Sequence, residues 1–203
     1  MAADLLNRTQ SNGMFQVRIH GRGGQGVVTA AELLSVAAFL EGRHAQAFPS
    51  FGSERTGSPV VSFCRIDDKE IRLREPILEP DCLIVQDVTL FKAIDVFQGL
   101  KPEGYLLVNT AKTFHELGLA EVTAKFPNGH ARVVPASELA LKHIGRPFPN
   151  AALLGAFAAL TGIVHLHSVA NAIRQTFSGK LAEANIAAAS AASDAVPTAA
   201  AAA

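Results

Sequence analysis

The stretch IHGRGGQGVVTAAELL, residues 19–34, decides how the chain is read. It follows the apolar run Met14–Ile19 and opens into a helix-like pattern, with Gly21, Gly23 and Gly26 at the G-x-G-x-x-G spacing. A strand feeding a glycine turn and a helix start presents free backbone N–H groups at the positive end of a helix dipole, a ready seat for an anion. Arg22 at the turn adds a fork of donors suited to phosphate. Three readings stand at this point: a dinucleotide site, a site for another phosphate, and a purely structural turn. The first needs an Asp or Glu near the end of the second strand to take the ribose hydroxyls. Glu41 lies about 20 residues on, but Gly42 follows it, so it precedes that strand. At the strand's end stand Phe48-Pro49-Ser50, with no acid. The missing acid tells against NAD.

Outward from this loop, apolar runs of strand length alternate with helical patterns. Phe15–Ile19 reads as a strand and Val27–Leu40 as a helix with Val28, Ala31, Leu34 and Ala38 along one face. Ala45–Phe48 reads as a short strand and Val60–Ile66 as a longer one. A turn signal at Asp67-Asp68-Lys69 then predicts that Val60–Ile66 forms a hairpin with Ile71–Leu73. Cys82–Val85, Gly104–Asn109 and Ala131–Pro135 complete the strands, and Val88–Phe97 suggests a short helix. Ser137 is placed to cap a helix through His143, and Asn150 to cap the apolar helix Ala151–Thr161. The order predicts an α/β, Rossmann-like layered fold with a mixed, mostly parallel sheet.

Composition bounds the function. The 203 residues suit one domain, and 18 basic against 18 acidic residues give no bulk charge to drive nucleic-acid or membrane-surface binding. No apolar run reaches the about 18 residues of a membrane span, and no signal-peptide centre is evident, so a cytoplasmic protein is expected. Residues 1–13 and the Ala/Ser tail from 188 read as disordered, because the tail has no large apolar residue except Val196 with which to dock. The globular domain is therefore expected to span 14–187.

A second unusual stretch is FPSFGSERTGSPVVSF, residues 48–63, long for a loop between strands of an α/β unit. Glu54 and Arg55 read either as a solvated surface ion pair or as groups facing a ligand or partner subunit near the glycine loop. His20 reads as a satisfied structural histidine before it reads as a ligand contact. Asp87, closing a strand, reads first as a helix cap. His165 and His167, two apart, should point to different sides of a helix and make no metal site. Ser50 and Ser53 lack the surroundings of a hydrolase nucleophile.

HGRGGQGVVTAAELL, PSFGSERTGSPVVSFCRI and PNAALLGAFAALTG, in that order and spacing, resemble the gamma subunit, or gamma domain, of the 2-oxoacid:ferredoxin oxidoreductases. The resemblance covers essentially all of 14–187, including SGKLAEANIAAA, which is similar to the family's closing Lys and Asn helix. Ser50, Gly52, Glu54, Arg55 and Gly57 match the second motif, while Ser53 and Thr56-Gly57-Ser58 depart from it.

The resemblance implies an enzyme complex that oxidatively decarboxylates a 2-oxoacid (pyruvate, 2-oxoglutarate, branched-chain, indolepyruvate or phenylglyoxylate type) to an acyl-CoA. Thiamine diphosphate, Mg and [4Fe–4S] clusters would be held by alpha, beta and delta-type partners, with electrons passing to ferredoxin, or to NAD through a flavin subunit. Dependence on oxygen-sensitive clusters implies anaerobic metabolism. This chain has two isolated cysteines where such a cluster takes four thiolates, and it lacks the thiamine G-D-G motif. It is thus expected to hold no catalytic residue and no metal. Its expected contribution is assembly and a share of coenzyme A binding by Gly21, Arg22, Gly23, Gly24, Gln25, Gly26, Glu54, Arg55 and Asn150. The alternative is a stand-alone Rossmann-like NAD(P)-binding oxidoreductase.

Overall fold

The computed structural model describes residues 13–50 and 56–197. Six strands form one sheet: β1 (Phe15–Arg22), β2 (His44–Pro49), β3 (Pro59–Asp67), β4 (Cys82–Val85), β5 (Tyr105–Asn109) and β6 (Ala131–Val134), in the order β2-β3-β1-β4-β5-β6. β1, β4, β5 and β6 run parallel, and β3 is antiparallel to both β1 and β2. The sheet is therefore mixed, as the pattern predicts, but the hairpin expected between Val60–Ile66 and Ile71–Leu73 does not form. Both hydrogen-bonding edges of β3 are already taken, by β1 and by β2, so no edge is left for Ile71–Leu73.

One face of the sheet is covered by helices. Val17, Ile19, Ile84 and Leu107 point into a core with α1 (Val27–Leu40), α4 (Asn150–Thr161), α5 (Leu166–Thr176) and α6 (Gly179–Asp194). The opposite face carries a smaller core, where Leu83, Val85, Leu106 and Val108 meet Leu90 and Val96. This side is roofed largely by turns, with a 3-10 turn at Val88–Lys92 and the short α2 (Ala120–Thr123). Several carbonyls of these turns are taken by two arginines. Arg18, buried on β1, donates to the carbonyls of Val96 at 3.0 Å and Gln98 at 2.5 Å, with longer contacts to Ile77 and Leu78. Arg65 on β3 donates to the Glu75 carbonyl at 2.5 Å and lies over the Phe48 ring.

Two predicted caps are differently used. α3 (Ala136–Ile144) is entered from Pro135 without a side-chain cap, and the Ser137 N–H instead donates to Asn109 Oδ1. Asn150 is the first helical residue of α4, preceded by Pro149, so its side chain is free of capping duty.

The boundary expected at 187 falls inside a helix. α6 continues to Asp194, with Ala188, Ala189, Ala192 and Val196 buried. The tail docks because its partner, α4, presents an equally small residue: a Cβ on Gly155 would lie 1.9 Å from the Ala189 carbonyl oxygen. Backbones at that separation gain dispersion contacts that methyl-sized side chains permit and larger ones prevent. Gly155→Ala is expected to destabilise the fold by about 1–3 kcal/mol, or to prevent folding, since backbone must move. A urea midpoint equal to wild type would show that α4 and α6 separate without cost.

Candidate functional site

The site is built where β1 ends. Gln25 shapes the loop: its Oε1 accepts from the Arg22 N–H at 2.8 Å and its Nε2 donates to Asp87 Oδ2 at 2.9 Å. Asp87, at the end of β4, also accepts from the Thr89 N–H at 2.9 Å and so caps the 3-10 turn, the role expected for it. Burial pulls the Asp87 carboxyl upward, but hydrogen bonds from Thr89 and Gln25 and the charge of Arg22 outweigh it and hold it below the usual range.

Arg22 is differently placed from the expectation of a free phosphate fork. Its Nε and one terminal nitrogen donate to Thr89 Oγ1, the other donates to the Gly57 carbonyl at 2.9 Å, and Nε lies 3.4 Å from Asp87. It ties the second loop to the first. Gly23 continues that seam, donating to the Ser58 carbonyl at 2.9 Å and accepting from the Gly57 N–H at 3.1 Å. The two loops singled out in the sequence are thus bonded side by side, while Glu54, Arg55 and Ser53 lie outside the described residues.

Two glycines are required by geometry. A Cβ on Gly21 would meet Val27 Cγ2 at 2.6 Å, and Gly26 combines a φ of 73° with an approach of 2.6 Å to Asn150 Nδ2. Gly26 also acts as the N-cap of α1, with no side-chain cap. The first helical hydrogen bond runs from the Ala30 N–H to the Gly26 carbonyl. The amides of Val27, Val28 and Thr29 therefore have no acceptor among the described residues, the arrangement that suits an anion.

Beside these amides opens a cavity of about 490 Å³. Its polar lining is Gly24, Gly26, Thr29, Arg146, Asn150 and Asn185, and its apolar wall is Ile144, Phe148, Phe177 and Leu181. Asn150 is 7% exposed, and its side chain has no hydrogen-bond partner among the described residues. Asn185 is buried as well and donates to the Leu181 carbonyl at 2.8 Å. A smaller hollow of about 230 Å³ has Arg22, Gly23, Gly24 and Val60 in its lining. Sequence reading missed Arg146, Phe148 and Phe177. The signal was present in Arg-Pro-Phe-Pro, a break carrying a cation and an aromatic residue, where a plain connection needs neither.

Other residues singled out in the sequence lie away from this cavity. Glu41 accepts from the His165 N–H at 2.7 Å and lies 3.1 Å from His165 Nδ1, at the far end of α1 from the glycine loop, where it cannot serve a ribose. His165 precedes α5 in extended backbone, which brings its ring within 5.4 Å of His167 instead of onto another side. Cys64 and Cys82 are fully buried, and burial pushes both thiols up, so neither is disposed to ligate iron as thiolate. Among the described residues no group of three or more His, Cys, Asp or Glu could hold a metal ion, and no helix is long and apolar enough to cross a membrane. The chain's own residues do not fit a cluster.

His20 is buried, but neither ring nitrogen has a partner among the described residues, so it is not the satisfied histidine expected. It lies between Val61 and Val85.

These features define a layered α/β unit whose glycine loop can seat an anion. Residues 16–195 match the family model described as pyruvate ferredoxin/flavodoxin oxidoreductase. The chain is 51% identical, over 85% of its length and 91% of the relative's, to the common gamma subunit of the pyruvate/ketoisovalerate oxidoreductases of Pyrococcus furiosus. It is 49% identical, with the same coverage, to the pyruvate synthase subunit PorC of Methanocaldococcus jannaschii. The crystal structure of the pyruvate oxidoreductase subunit PORC of Thermotoga maritima superposes with a TM-score of 0.74 at 36% identity, covering 89% of this chain and 96% of that one. The chain belongs to the pyruvate ferredoxin/flavodoxin oxidoreductase family, and its relatives are gamma-type subunits of multisubunit oxidoreductases. The fold also recurs, at 18% identity and a TM-score of 0.68, within a 2-oxoglutarate:ferredoxin oxidoreductase from Magnetococcus marinus solved with 2-oxoglutarate, coenzyme A and succinyl-CoA; this chain covers 32% of that one.

Burial, with Arg18 adding to it, lowers the His20 pKa from 6.5 to about 4. The folded state thus resists a proton that the unfolded chain accepts. Stability should be full above pH 6.5 and fall as pH drops toward about 4, by roughly 3 kcal/mol from this group. Urea unfolding across that window checks it: His20→Leu should flatten the slope, and an unchanged slope would assign the acid sensitivity elsewhere.

Proposed function

We propose that this chain is the gamma-type subunit of a cytoplasmic complex that oxidatively decarboxylates a 2-oxoacid to an acyl-CoA, and that it contributes to assembly and to coenzyme A binding. Alpha, beta and delta-type partners would hold thiamine diphosphate, Mg and [4Fe–4S] clusters and pass electrons to ferredoxin, or to NAD through a flavin subunit. One observation carries the CoA part: the glycine loop, Asn150 and α6, three segments far apart in sequence, line a single cavity. The amides that follow Gly26 at the start of α1 suit a phosphate, with Gly24, Gly26 and Asn150 beside them in the cavity lining. Gly21, Arg22 and Gln25 give the loop its shape, and Glu54 and Arg55 are proposed as further coenzyme A contacts on their sequence motif alone.

The stand-alone NAD(P) reading lacks its ribose acid, since Glu41 is engaged with His165. The deciding experiment is an anaerobic native pull-down of the chain, with partner masses, iron content and 2-oxoacid oxidation measured. Iron-bearing partners with CoA-dependent oxidation are expected; an isolated, iron-free chain of 21.3 kDa that binds NAD would overturn the proposal. In the intact complex, Arg22→Ala should raise the KM for CoA by the equivalent of about 1–3 kcal/mol, because the loop loses its tie to Gly57 and Thr89. An unchanged KM would remove Arg22 from the site.

A further inference from the structure

The strand expected over residues 71–73 has no place in the sheet, yet the chain there keeps the character of one. Residues 70–74 show no bend or helix, and none of their backbone N–H or C=O groups has a partner among the described residues. Their side chains alternate as on a strand: Glu70 accepts from Arg72 Nη2 at 2.9 Å, two positions away, and both are exposed. Ile71 and Leu73 take the intervening positions, and Leu73 is 48% exposed. The segment is anchored at both ends. Before it, the Lys69 N–H donates to Asp67 Oδ1 at 3.0 Å; after it, Arg65 holds the Glu75 carbonyl and Ile77 is buried. Leu78, just past that anchor, is 75% exposed.

A straight backbone with exposed, unpaired donors and acceptors is a template for another strand. Because both ends are already tied down, little further chain entropy is lost when a partner pairs with it. The side chains say what that partner carries. Arg74 shares its position in the alternation with Glu70 and Arg72, and its guanidinium has no ion pair or hydrogen bond among the described residues. That row therefore has a net positive charge, which calls for acid opposite it, while Leu73 calls for an apolar neighbour.

A second copy of this chain does not meet that requirement. An antiparallel self-pair centred on Arg72 sets that residue against itself, and one centred on Leu73 sets Arg72 against Arg74. Centring between the two opposes Glu70 to Glu75 and Ile71 to Arg74, and a parallel pair in register opposes every charge to its own copy. Like charges directly opposite destabilise a ladder.

We infer that residues 70–74 are a docking strand, completed in the assembly by an extended segment of another subunit that lays an acidic side chain against Arg74 and an apolar one against Leu73. The inference rests on the subunit reading above and adds the surface through which the chain engages its complex.

Hydrogen exchange read by mass spectrometry, on the full chain alone and on the assembled complex, tests it. In the chain alone the amides of residues 71–74 should exchange close to the unstructured rate, while those of β4, paired on both sides, stay protected and verify the fold. In the complex the amides of 71–74 should slow by about 100-fold or more, and cross-links from Lys69 should identify an acidic partner segment. Arg74→Glu, at an exposed position with no contact to lose, should weaken association with the other subunits about tenfold, and Arg74→Ala less. Reversing the acidic residue of the cross-linked segment to Lys should restore the affinity of Arg74→Glu. Equally fast exchange in the complex overturns the inference and leaves the subunit reading standing. Protection in the chain alone that rises with its concentration would make the occupant a second copy and overturns it as well. Protection on assembly with association unaltered by Arg74→Glu removes the acidic strand, and the inference with it. A chain that assembles with no partner at all would instead bring down the subunit reading.

Discussion

The open end of the sheet is organised around one carboxylate. Asp87 accepts from Thr89 and from Gln25 and pairs with Arg22, while Gln25 closes the circuit on the Arg22 N–H. A negative charge next to an anion seat would ordinarily repel the ligand. Here Arg22 neutralises it at short range, and the same arginine reaches Gly57 to bind the neighbouring loop. The carboxylate thus sets the shape of the glycine loop without imposing its charge on what the loop holds. Fixing donors before the ligand arrives spares the ordering entropy that a floppy loop would lose on binding.

The far side of the sheet meets a related problem by different means. Turns from residue 70 to 104 expose carbonyls that no helix satisfies, and Arg18 and Arg65 reach across the strands to take them. Burial lowers the pKa of both arginines, yet a guanidinium starts so high that it stays charged. Arg18 presents its fork of donors to several carbonyls at once, and Arg65 divides its own between the Glu75 carbonyl and the Gln16 side chain. The cost is polar surface in the interior: Arg18 Nε and Arg65 retain nitrogens with no partner among the described residues.

Much of this was legible in the residues. The strand, glycine turn and helix at 15–40 carried an unmistakable change of period, and the alternation that followed led to a mixed α/β sheet. That the two loops could lie side by side was open from the sequence because both follow strands, and Gly23 and Gly57 do meet. What failed were inferences that needed partners in space. The turn signal at Asp67-Asp68-Lys69 could not reveal that β2 already occupied the edge of β3. Ser137 and Asn150 have the chemistry of caps, but Asn109 and the cavity claim them. The burial of Arg18 and Arg65 leaves no mark in the sequence, because a buried arginine and an exposed one give the same trace in a period-two pattern. Arg146 and Phe148 alternate with Pro147 and Pro149 in a connection whose pattern marks only a break between helices.

The alanine-rich end shows how composition can mislead in the other direction. It looked too bland to dock, yet Ala188, Ala189 and Ala192 are buried and Gly155 leaves Ala189 almost no clearance. The consequence lies in the order of synthesis. α4 is apolar around its whole circumference and emerges from the ribosome before α6, so its most closely fitted flank stays bare until the chain has grown past Asp194. During that interval the nascent chain carries an unmatched apolar helix that invites chaperones or neighbouring chains. A flank of glycine and alanine offers passing partners few atoms to grip, and only the correct helix, with equally small residues in register, can come close enough to stay.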